Sequence, residues 1–517
     1  MTIPTSSIDN LNRNCITGDR DHLLVRIREA IRMAGKIDII VAFLMESGVR
    51  LLENDLISAV ERKVPLRILC GNYMNITQPE ALYLLKDALG EAMRLHFYNE
   101  PRRSFHPKAY IFHSRQEGRG EVFIGSSNLS RSALTDGIEW NYRLSSEQHP
   151  GDYQYFTRTF EDLFQHHSVE VDDPVLRRYS RNWRRPQFIA ELERLEYGKT
   201  DLLEEESLDN QTATLQEPGA VRTSSVDHGE TAGAYEAIHY PQPMGPQIEA
   251  LYELKQTRRN GWDKGLVVAA TGVGKTYLAA FDSRDYPRVL FVAHREEILT
   301  QAEQTFRSVR PRSVTGFITG SRKTWTPQTD ILFATVQTLG AVCSTLFASD
   351  AFDYIIVDEF HHAVAGSYQK VLAHFRPRFL LGLTATPERL DNQDVFALCD
   401  YNLVYEIRLK EAINKGRLVP FRYYGIYDDT TDYSVIEIHN GKYDETQLEE
   451  ALSIHRRAEL ILQKYRDFAS RRALGFCVSR RHAQFMADHF NRQGVPAAAV
   501  VSGGSPGNRE ESLEGLK

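Results

Sequence analysis

Long apolar runs and export signals are missing from this sequence of 517 residues. No stretch of 18 or more consecutive apolar residues occurs, which excludes the usual pattern of a membrane-spanning helix. The polar N-terminal stretch also lacks the apolar core of a secretory signal peptide. We therefore expect a cytoplasmic protein that has no membrane partner.

Cysteine is scarce, and no two cysteines form a CxxC pair. This spacing argues against a zinc ribbon and against a disulfide framework. We expect small buried residues in a reducing compartment at the five positions, which are Cys15, Cys70, Cys343, Cys399 and Cys477.

An excess of positive charge is absent as well, because the formal net charge is −7. The chain is therefore not a uniformly basic coat for nucleic acid, although a local groove can still bind DNA. The arginine-rich stretch from Arg177 to Arg185 fits either a solvated face or a contact with phosphate. With 42% hydrophobic and 25% charged residues, the composition is that of a globular protein, and the length suggests three or four domains.

A glycine-rich turn follows a strand-like run in the middle of the chain. The run Leu266 to Ala270 predicts a buried strand, and the residues 271–274 predict a turn before a helix that opens with Lys275 and Thr276. Backbone N–H groups of such a turn bind phosphate, the lysine reaches the β- and γ-phosphates, and the threonine hydroxyl holds Mg²⁺. The alternative is a surface turn with a solvated lysine.

A second apolar strand, residues 355–357, ends in Asp358 and Glu359 about 80 residues further on. Because the carboxyl ends of parallel strands meet at one edge of a sheet, these carboxylates are expected beside the phosphate-binding turn. There Asp358 would hold Mg²⁺ and Glu359 would activate the attacking water. A lone Asp-Glu pair is more often a solvated strand end.

These elements, with four others in order over residues 246–389, resemble a superfamily 2 helicase or translocase of the DExH type. The resemblance implies a RecA-like lobe with ATP and Mg²⁺ as cofactors, although Ala269 stands where the family's phosphate loop begins with glycine. The implied ATP-binding residues are Gln247, Thr271, Gly272, Gly274, Lys275, Thr276 and Asp358, of which Thr276 and Asp358 hold the metal. The implied coupling residues are His361, Thr384 and Thr386, and the implied nucleic-acid contacts are His294, Arg295, Thr335 and Gln337.

Helix-like and strand-like segments alternate before the helicase-like region. Helical periodicity covers 21–33, 49–62 and 80–89, and apolar strand-like runs cover 36–43, 64–70 and 94–98. This alternation predicts an α/β domain with mostly parallel strands.

Two polar patterns then flank a pair of predicted strands. His106 and Lys108 precede one strand, and Ser126 and Asn128 follow the next, with Glu139 eleven positions later. Imidazole is a competent nucleophile toward phosphorus, and lysine and asparagine can stabilise the phosphoryl oxygens. Ordinary strand-end residues are the alternative interpretation.

The HxK and GSxN patterns resemble the phospholipase D superfamily. The resemblance implies a phosphodiester-cleaving site that needs no metal cofactor. It makes His106 the nucleophile, Glu139 the residue that orients a histidine, and Lys108, Ser126 and Asn128 the phosphate ligands.

Two departures from that family shape the hypothesis. His113 occupies the position of a family aspartate, and some endonuclease members of the superfamily resemble this chain in lacking that aspartate. The family site combines two HxK patterns, and this sequence has only one. We therefore expect a homodimer in which each copy contributes half of a shared site.

The fold class predicted is α/β, with a phospholipase D-like domain followed by RecA-like parallel-sheet lobes, the second of them incomplete. The predicted divisions are a nuclease domain at 1–170, a helical segment and flexible linker at 171–245, a first motor lobe at 246–405, and a bridge with the start of a second lobe at 406–517. Strands are predicted at Leu474–Val478 and Ala497–Val501. The family's glutamine-glycine-arginine helix, whose arginines complete the ATP site, is absent. We therefore expect this chain to bind ATP but to hydrolyse it poorly, either as a fragment of a longer product or as a nucleotide-responsive clamp.

The combined patterns predict an ATP-dependent DNA helicase or translocase joined to a phosphodiesterase, in a setting of restriction or phage defence. DNA is the favoured partner, and the patterns do not exclude RNA. A nucleotide-switched DNA-binding protein without cleavage activity is the second hypothesis. A lipid-directed hydrolase is the third.

Overall fold

The computed structural model divides the chain into two units, residues 1–420 and 421–517. The residues that it describes are 14–19, 21–72, 75–100, 103–186, 240–363, 365–387, 395–428, 430–439, 442–468, 472–501, 512 and 515. Most of the predicted linker over residues 200–245 lies outside these ranges, and only 240–245 are described.

The first part of unit 1, residues 15–182, is an α/β domain, here called the N-terminal domain. Its helices alternate with its first strands and carry their apolar residues on one face, as Leu24, Ile27 and Ile31 do. The helices are α1 (Leu23–Met33), α2 (Glu46–Glu61), α3 (Pro79–Leu89), α4 (Arg131–Leu134), α5 (Pro150–His166) and α6 (Asp173–Asn182). The strands are β1 (Cys15–Ile16), β2 (Lys36–Val41), β3 (Leu66–Cys70), β4 (Met93–Tyr98), β5 (Lys108–His113), β6 (Gly120–Gly125), β7 (Asn141–Ser145) and β8 (Ser168–Glu170).

The sheet of this domain has the order β1-β7-β6-β5-β2-β3-β4-β8. Only the pairs β2–β3 and β3–β4 are parallel, and the other five described pairs are antiparallel. The prediction of mostly parallel strands was therefore wrong. Helices connect β2, β3 and β4, as parallel strands require, whereas the connection between β5 and β6, residues 114–119, is too short for a parallel crossover, so this pair runs antiparallel.

A buried ion network lies under this sheet. Asp38 on β2 is fully buried and accepts hydrogen bonds from Arg67 Nε at 2.7 Å and Arg67 Nη2 at 2.9 Å. His113 Nε2 lies 2.8 Å from the same carboxylate, and His113 Nδ1 lies 2.8 Å from the hydroxyl of Tyr153. The histidine that replaces a family aspartate is thus part of a structural network at the end of β5 remote from His106.

This network predicts an acid-sensitive contribution to stability. Burial raises the pKa of Asp38, but hydrogen bonds from His113 and Arg67 outweigh it and lower the pKa to about 2, against an ordinary 3.8. Because the folded pKa is the lower one, the contribution, of about 2 kcal/mol, is present above about pH 4 and is lost as the pH falls toward about 2. In chemical denaturation, the stability gap between wild type and Asp38→Asn should shrink from about pH 7 to about pH 3.

A matched control is Glu147→Gln, which removes an exposed partner of Arg119. An exposed pair of this kind contributes little, so its stability gap should be small at both pH values. A gap for Asp38→Asn that stays constant over this range would contradict the assignment.

The second part of unit 1, residues 246–418, is here called the parallel-sheet lobe. Its helices are α7 (Pro246–Arg259), α8 (Lys275–Asp282), α9 (Glu296–Val309), α10 (Val336–Leu346), α11 (Gly366–His374) and α12 (Leu409–Asn414). Its strands are β9 (Lys264–Ala269), β10 (Val289–Ala293), β11 (Thr315–Ile318), β12 (Ile331–Thr335), β13 (Tyr354–Val357), β14 (Phe379–Thr384) and β15 (Leu403–Ile407).

Every described pair of strands in this lobe is parallel, in the order β11-β12-β10-β13-β14-β9-β15. The predicted parallel sheet is confirmed. Its central strands are apolar along their whole length because helices cover both faces. The carboxyl ends of β9, β10, β12, β13 and β14 therefore lie along one edge, and the polar residues after each strand gather there.

Unit 2 contains helices and one short hairpin among its described residues. The helices are α13 (Glu445–Leu452), α14 (His455–Phe468) and α15 (Arg480–Arg492), and the hairpin strands are β16 (Ile438–His439) and β17 (Lys442–Tyr443). The predicted strands Leu474–Val478 and Ala497–Val501 were wrong, since both segments are irregular. A strand needs backbone partners on a neighbour, and no described segment of the unit provides them.

Candidate functional sites

The first site lies where β5 begins and β6 ends. Ala109 pairs with Ile124 and Gly125 pairs with Asn141, so these antiparallel pairs bring three segments to one edge of the sheet. The segments are the one before β5 with His106, the turn after β6 with Ser126 and Asn128, and the one before β7 with Glu139. The fold thus gathers the predicted residues at one place.

His106 and Lys108 are in direct contact. The Nζ of Lys108 lies 2.7 Å from His106 Nδ1 and donates to the His106 carbonyl at 3.0 Å. Burial, together with the Lys108 ammonium, lowers the pKa of His106 below its ordinary value. The imidazole is therefore mainly neutral at neutral pH, which is the form that can attack phosphorus.

Lys108 is itself nearly buried, whereas His106 is exposed. Burial lowers the pKa of Lys108, and the negative charge of Glu139 opposes that change. No hydrogen bond joins Glu139 to His106 among the described contacts. The role of Glu139 in orienting a histidine stays a prediction.

Asn128 and Ser126 are held by backbone groups of neighbouring segments. The Oδ1 of Asn128 accepts a hydrogen bond from the Phe43 N–H at 3.2 Å, which turns the side chain into a fixed orientation. The Oγ of Ser126 accepts one from the Trp140 N–H at 3.0 Å. Because the side-chain oxygen of Asn128 is already bonded to the Phe43 N–H, the NH₂ group of Asn128 remains as the donor for a phosphoryl oxygen.

The second site begins with the turn between β9 and α8, here called the phosphate loop (residues 270–275). Gly272 and Gly274 have φ angles of 91° and 90°, a region that side chains other than glycine rarely adopt. These angles let the chain turn sharply before α8 starts at Lys275. The Nζ of Lys275 donates to the Ala269 carbonyl at 3.0 Å, so the lysine folds back over the loop.

Gln247, in the first turn of α7, is joined to the phosphate loop. Its Nε2 donates to the Gly274 carbonyl at 3.3 Å, and its Oε1 accepts from the Met244 N–H at 3.1 Å. Gln247, one of the residues predicted to bind ATP, therefore lies beside the loop.

The carboxylates after β13 lie close to the phosphate loop. Burial lowers the pKa of Lys275, while the negative charges of Asp358 and Glu359 act on it in the opposite direction. Asp358 is almost buried, and burial raises the pKa of its carboxyl. A hydroxyl from Thr276 and a carboxylate from Asp358 are hard oxygen donors, the ligand type that Mg²⁺ prefers, so the donor set fits the predicted metal.

The predicted coupling residues form a hydrogen-bonded group. His361 Nδ1 lies 3.2 Å from Thr384 Oγ1 and 3.3 Å from Glu359 Oε2. Thr384 Oγ1 in turn accepts from the Thr386 N–H at 3.2 Å. The segment after β13 and the end of β14 are thus joined by side-chain contacts.

The predicted nucleic-acid contacts lie at the same edge of the sheet. His294 and Arg295 follow β10, and Arg295 is exposed. Thr335 ends β12 and donates to Thr338 at 3.0 Å, while Gln337 is exposed in the first turn of α10. The four residues therefore lie along the carboxyl edge of the parallel sheet.

One further feature near the sites was not visible in the sequence. Arg417 and Leu418 contact the surroundings of the phosphate loop, and Arg417 also binds Glu80 of the N-terminal domain. No sequence signal pairs two residues so far apart.

Among the described residues, no group of three or more histidine, cysteine, aspartate or glutamate side chains is arranged to hold a metal ion. No helix within the described ranges is long and apolar enough to span a bilayer.

Comparison with known proteins supports the two-part organisation. Residues 27–165 match the family model "Cardiolipin synthase, PLD-like domain", and residues 241–389 match the model "Type III restriction enzyme, res subunit". The chain therefore joins an N-terminal domain similar to phospholipase D to a helicase-like ATP-binding lobe. The predicted α/β fold class is confirmed.

Two curated relatives illustrate the similarity. The Type I restriction enzyme EcoAI endonuclease subunit of Escherichia coli is 27% identical over 277 residues, covering 47% of this chain and 33% of that protein. The putative ATP-dependent helicase IRC3 of Saccharomyces cerevisiae is 24% identical over 292 residues, covering 52% of this chain and 42% of that protein. The chain thus spans less than half the length of either relative.

Among solved structures, a phospholipase D family member, Nuc from Salmonella typhimurium, aligns with 29% of this chain and 90% of its own. The sequence identity is 17% and the TM-score is 0.23.

Proposed function

We propose that the protein is an ATP-dependent DNA translocase or helicase that also cleaves DNA through a phospholipase D-type site. The observation that supports the proposal is that one unit holds two separate groups of side chains of the types that bind phosphate. One is the contact between His106 and Lys108 beside Asn128, and the other is the phosphate loop beside Asp358. A role in restriction or phage defence is the setting that the restriction-enzyme relatives suggest.

At the first site, the neutral imidazole of His106 would attack the phosphorus of a DNA phosphodiester. A nitrogen–phosphorus bond forms as the bond to the leaving oxygen breaks, while Lys108 and Asn128 stabilise the added charge on the phosphoryl oxygens. Water then cleaves the nitrogen–phosphorus bond and regenerates His106. This chemistry uses side chains alone and needs no metal cofactor.

The leaving oxygen requires a proton, and a single HxK pattern supplies no second histidine. We infer that the protein acts as a homodimer in which His106 of a second copy donates this proton. Each copy then contributes half of a shared site.

At the second site, the loop N–H groups and Lys275 would bind the phosphates of ATP. Thr276 and Asp358 would hold Mg²⁺, which neutralises charge on the β- and γ-phosphates when it is bound. Glu359 would orient the attacking water. His361, which lies 3.3 Å from Glu359 Oε2 and 3.2 Å from Thr384 Oγ1, would transmit the state of the ATP site to the end of β14.

The test of the whole proposal uses purified wild-type protein, with ATP turnover measured in the absence and presence of duplex DNA. We expect a low basal ATP turnover that DNA raises, and we expect this effect of DNA to weaken as salt rises, because contacts with phosphate release counterions. DNA cleavage should persist in EDTA when ATP is omitted. Turnover that ignores DNA would exclude a translocase, and cleavage that stops in EDTA would exclude the metal-independent mechanism.

A nucleotide-switched DNA-binding protein is the second candidate. The exposed position of Arg295 at the sheet edge favours this candidate, because DNA binding through Arg295 requires no cleavage site. This candidate predicts salt-sensitive DNA binding that depends on nucleotide, with no cleavage under any condition.

A further inference from the structure

The segment 415–418, here called the joining segment, lies between the N-terminal domain and the parallel-sheet lobe. The Nζ of Lys415 lies 3.0 Å from Ser180 Oγ on α6 and 3.2 Å from Glu249 Oε2 on α7. The side chain of Lys415 is 1% exposed. A charge this deeply buried is stable only with its partners in place, so the joining segment is fixed against both domains.

Two residues after Lys415, the joining segment makes a second buried contact with the N-terminal domain. Arg417 Nη2 donates to Glu80 Oε1 at 2.5 Å, and Glu80 is fully buried in the first turn of α3. Burial raises the pKa of Glu80, but the charge and hydrogen bond of Arg417 outweigh this and lower it. Glu80 is therefore a buried carboxylate that depends on a cation from the other domain.

Arg417 also packs against Gly245, two residues before Gln247. Gly245 has a φ of 53°, and a Cβ there would lie 2.6 Å from Arg417 Cζ. Gly245 immediately precedes α7, and Gln247 within that helix bonds the Gly274 carbonyl. Leu418 packs on the phosphate loop itself, since a Cβ on Gly272 would lie 3.1 Å from Leu418 Cδ2.

The start of α3 also leads to the first site. Gln78 accepts a hydrogen bond from the Glu46 N–H at 2.7 Å and donates its own N–H to the Leu44 carbonyl at 2.9 Å. In the same short segment, the Met45 N–H donates to the Leu129 carbonyl at 3.0 Å. Leu129 follows Asn128, so hydrogen bonds connect the helix that carries Glu80 to the turn at the first site.

We propose that Arg417 is a positioning residue of the nucleotide site, held by Glu80, and that this pair couples nucleotide binding to the turn that carries Asn128. The proposal rests on the proposed function. A nucleotide that orders Gln247 and the phosphate loop also fixes Arg417 and, through Glu80, the start of α3. Coupling of this kind is reciprocal, so DNA bound at the first site must change the affinity for nucleotide by the same factor.

The experiment compares wild type with Glu80→Gln and Arg417→Lys. We expect the KM for ATP to rise about tenfold in each variant while kcat stays within about twofold, because positioning affects nucleotide binding more than chemistry. DNA cleavage is then measured with and without a non-hydrolysable ATP analogue. The ratio of the two rates should differ from one in wild type and return toward one in both variants.

Two controls separate coupling from loss of folding. Arg177→Gln removes an ion pair to Glu253 between the same two domains, remote in sequence from the phosphate loop, and should leave the KM unchanged. The double variant Glu80→Met, Arg417→Met replaces both buried charges by apolar groups, which usually preserves the fold. It should keep the thermal midpoint of wild type and still show the higher KM.

The outcomes distinguish this inference from the proposed function. A wild type that binds no ATP and cuts no DNA defeats the proposed function, and the coupling falls with it. If the wild type binds ATP and cuts DNA, two results overturn the coupling alone. One is a wild-type cleavage ratio of one, and the other is an unchanged KM for ATP in the Glu80 and Arg417 variants. An equal rise in KM for Arg177→Gln also overturns it, since the effect would then belong to the interface as a whole.

Discussion

Replacing His106 with alanine is expected to reduce DNA cleavage about 10³-fold or more, because loss of a nucleophile leaves only binding and electrostatic stabilisation. The measurement is the cleavage rate of plasmid DNA in EDTA. ATP turnover, which depends on a separate site, should change little. Cleavage that persists in the His106→Ala protein would reject the assignment of this residue as the nucleophile.

The matched control for His106→Ala is His149→Ala. His149 is exposed and precedes α5, at the end of β7 opposite to the Asn141 end that borders the first site. Its replacement should leave cleavage at the wild-type rate, while circular dichroism should report an unchanged fold for both variants.

Mixing the two proteins tests the shared site. If both copies of His106 are required, an equal mixture of wild type and His106→Ala that exchanges subunits should retain about one quarter of wild-type activity. A retained activity near one half would indicate that each copy acts alone.

Replacing Lys275 with alanine is expected to lower ATP turnover about 10²-fold or more, since it removes a positive charge that would face the β- and γ-phosphates. Nucleotide binding should weaken as well, and the rise in thermal midpoint that ATP gives wild type should disappear. DNA cleavage without nucleotide should persist, because His106 belongs to the other site.

Lys370→Ala is the matched control for this loss. Lys370 is an exposed lysine on α11, which is not one of the elements that form the phosphate loop. ATP turnover by this variant should equal that of wild type. A Lys275→Ala protein that hydrolyses ATP at the wild-type rate would remove the phosphate loop from the mechanism.

The parallel-sheet lobe was well predicted from the sequence because its signals are local. The apolar runs predicted as strands at 266–270 and 355–357 correspond to β9 and β13, and the direction of the chain puts the polar residues that follow them at one edge of the sheet. Gly272 and Gly274 have positive φ angles that other residues rarely adopt, which explains why glycine occupies both positions of the turn. Short-range chemistry of this type needs no knowledge of distant contacts.

The errors arose where the outcome depends on partners far along the chain. Leu474–Val478 has the composition of a strand, yet it forms none because a strand requires a neighbour to bond. The antiparallel direction of β5 against β2 depends on how the chain returns to the sheet after β4, which residue patterns do not reveal. The contact of Glu80 with Arg417 was equally hidden, since it spans 337 positions.

The contact between Glu80 and Arg417 has a consequence for anyone who wishes to dissect the chain. The N-terminal domain looks like a portable module in its sequence, with its own sheet and its own site. Its surface toward the ATP-binding lobe, however, contains Glu80, a buried carboxylate whose counterion, Arg417, belongs to that lobe. Expressed alone, the domain would present that carboxylate to water and lose its counterion, so swapping it between enzymes would require transplanting the arginine too.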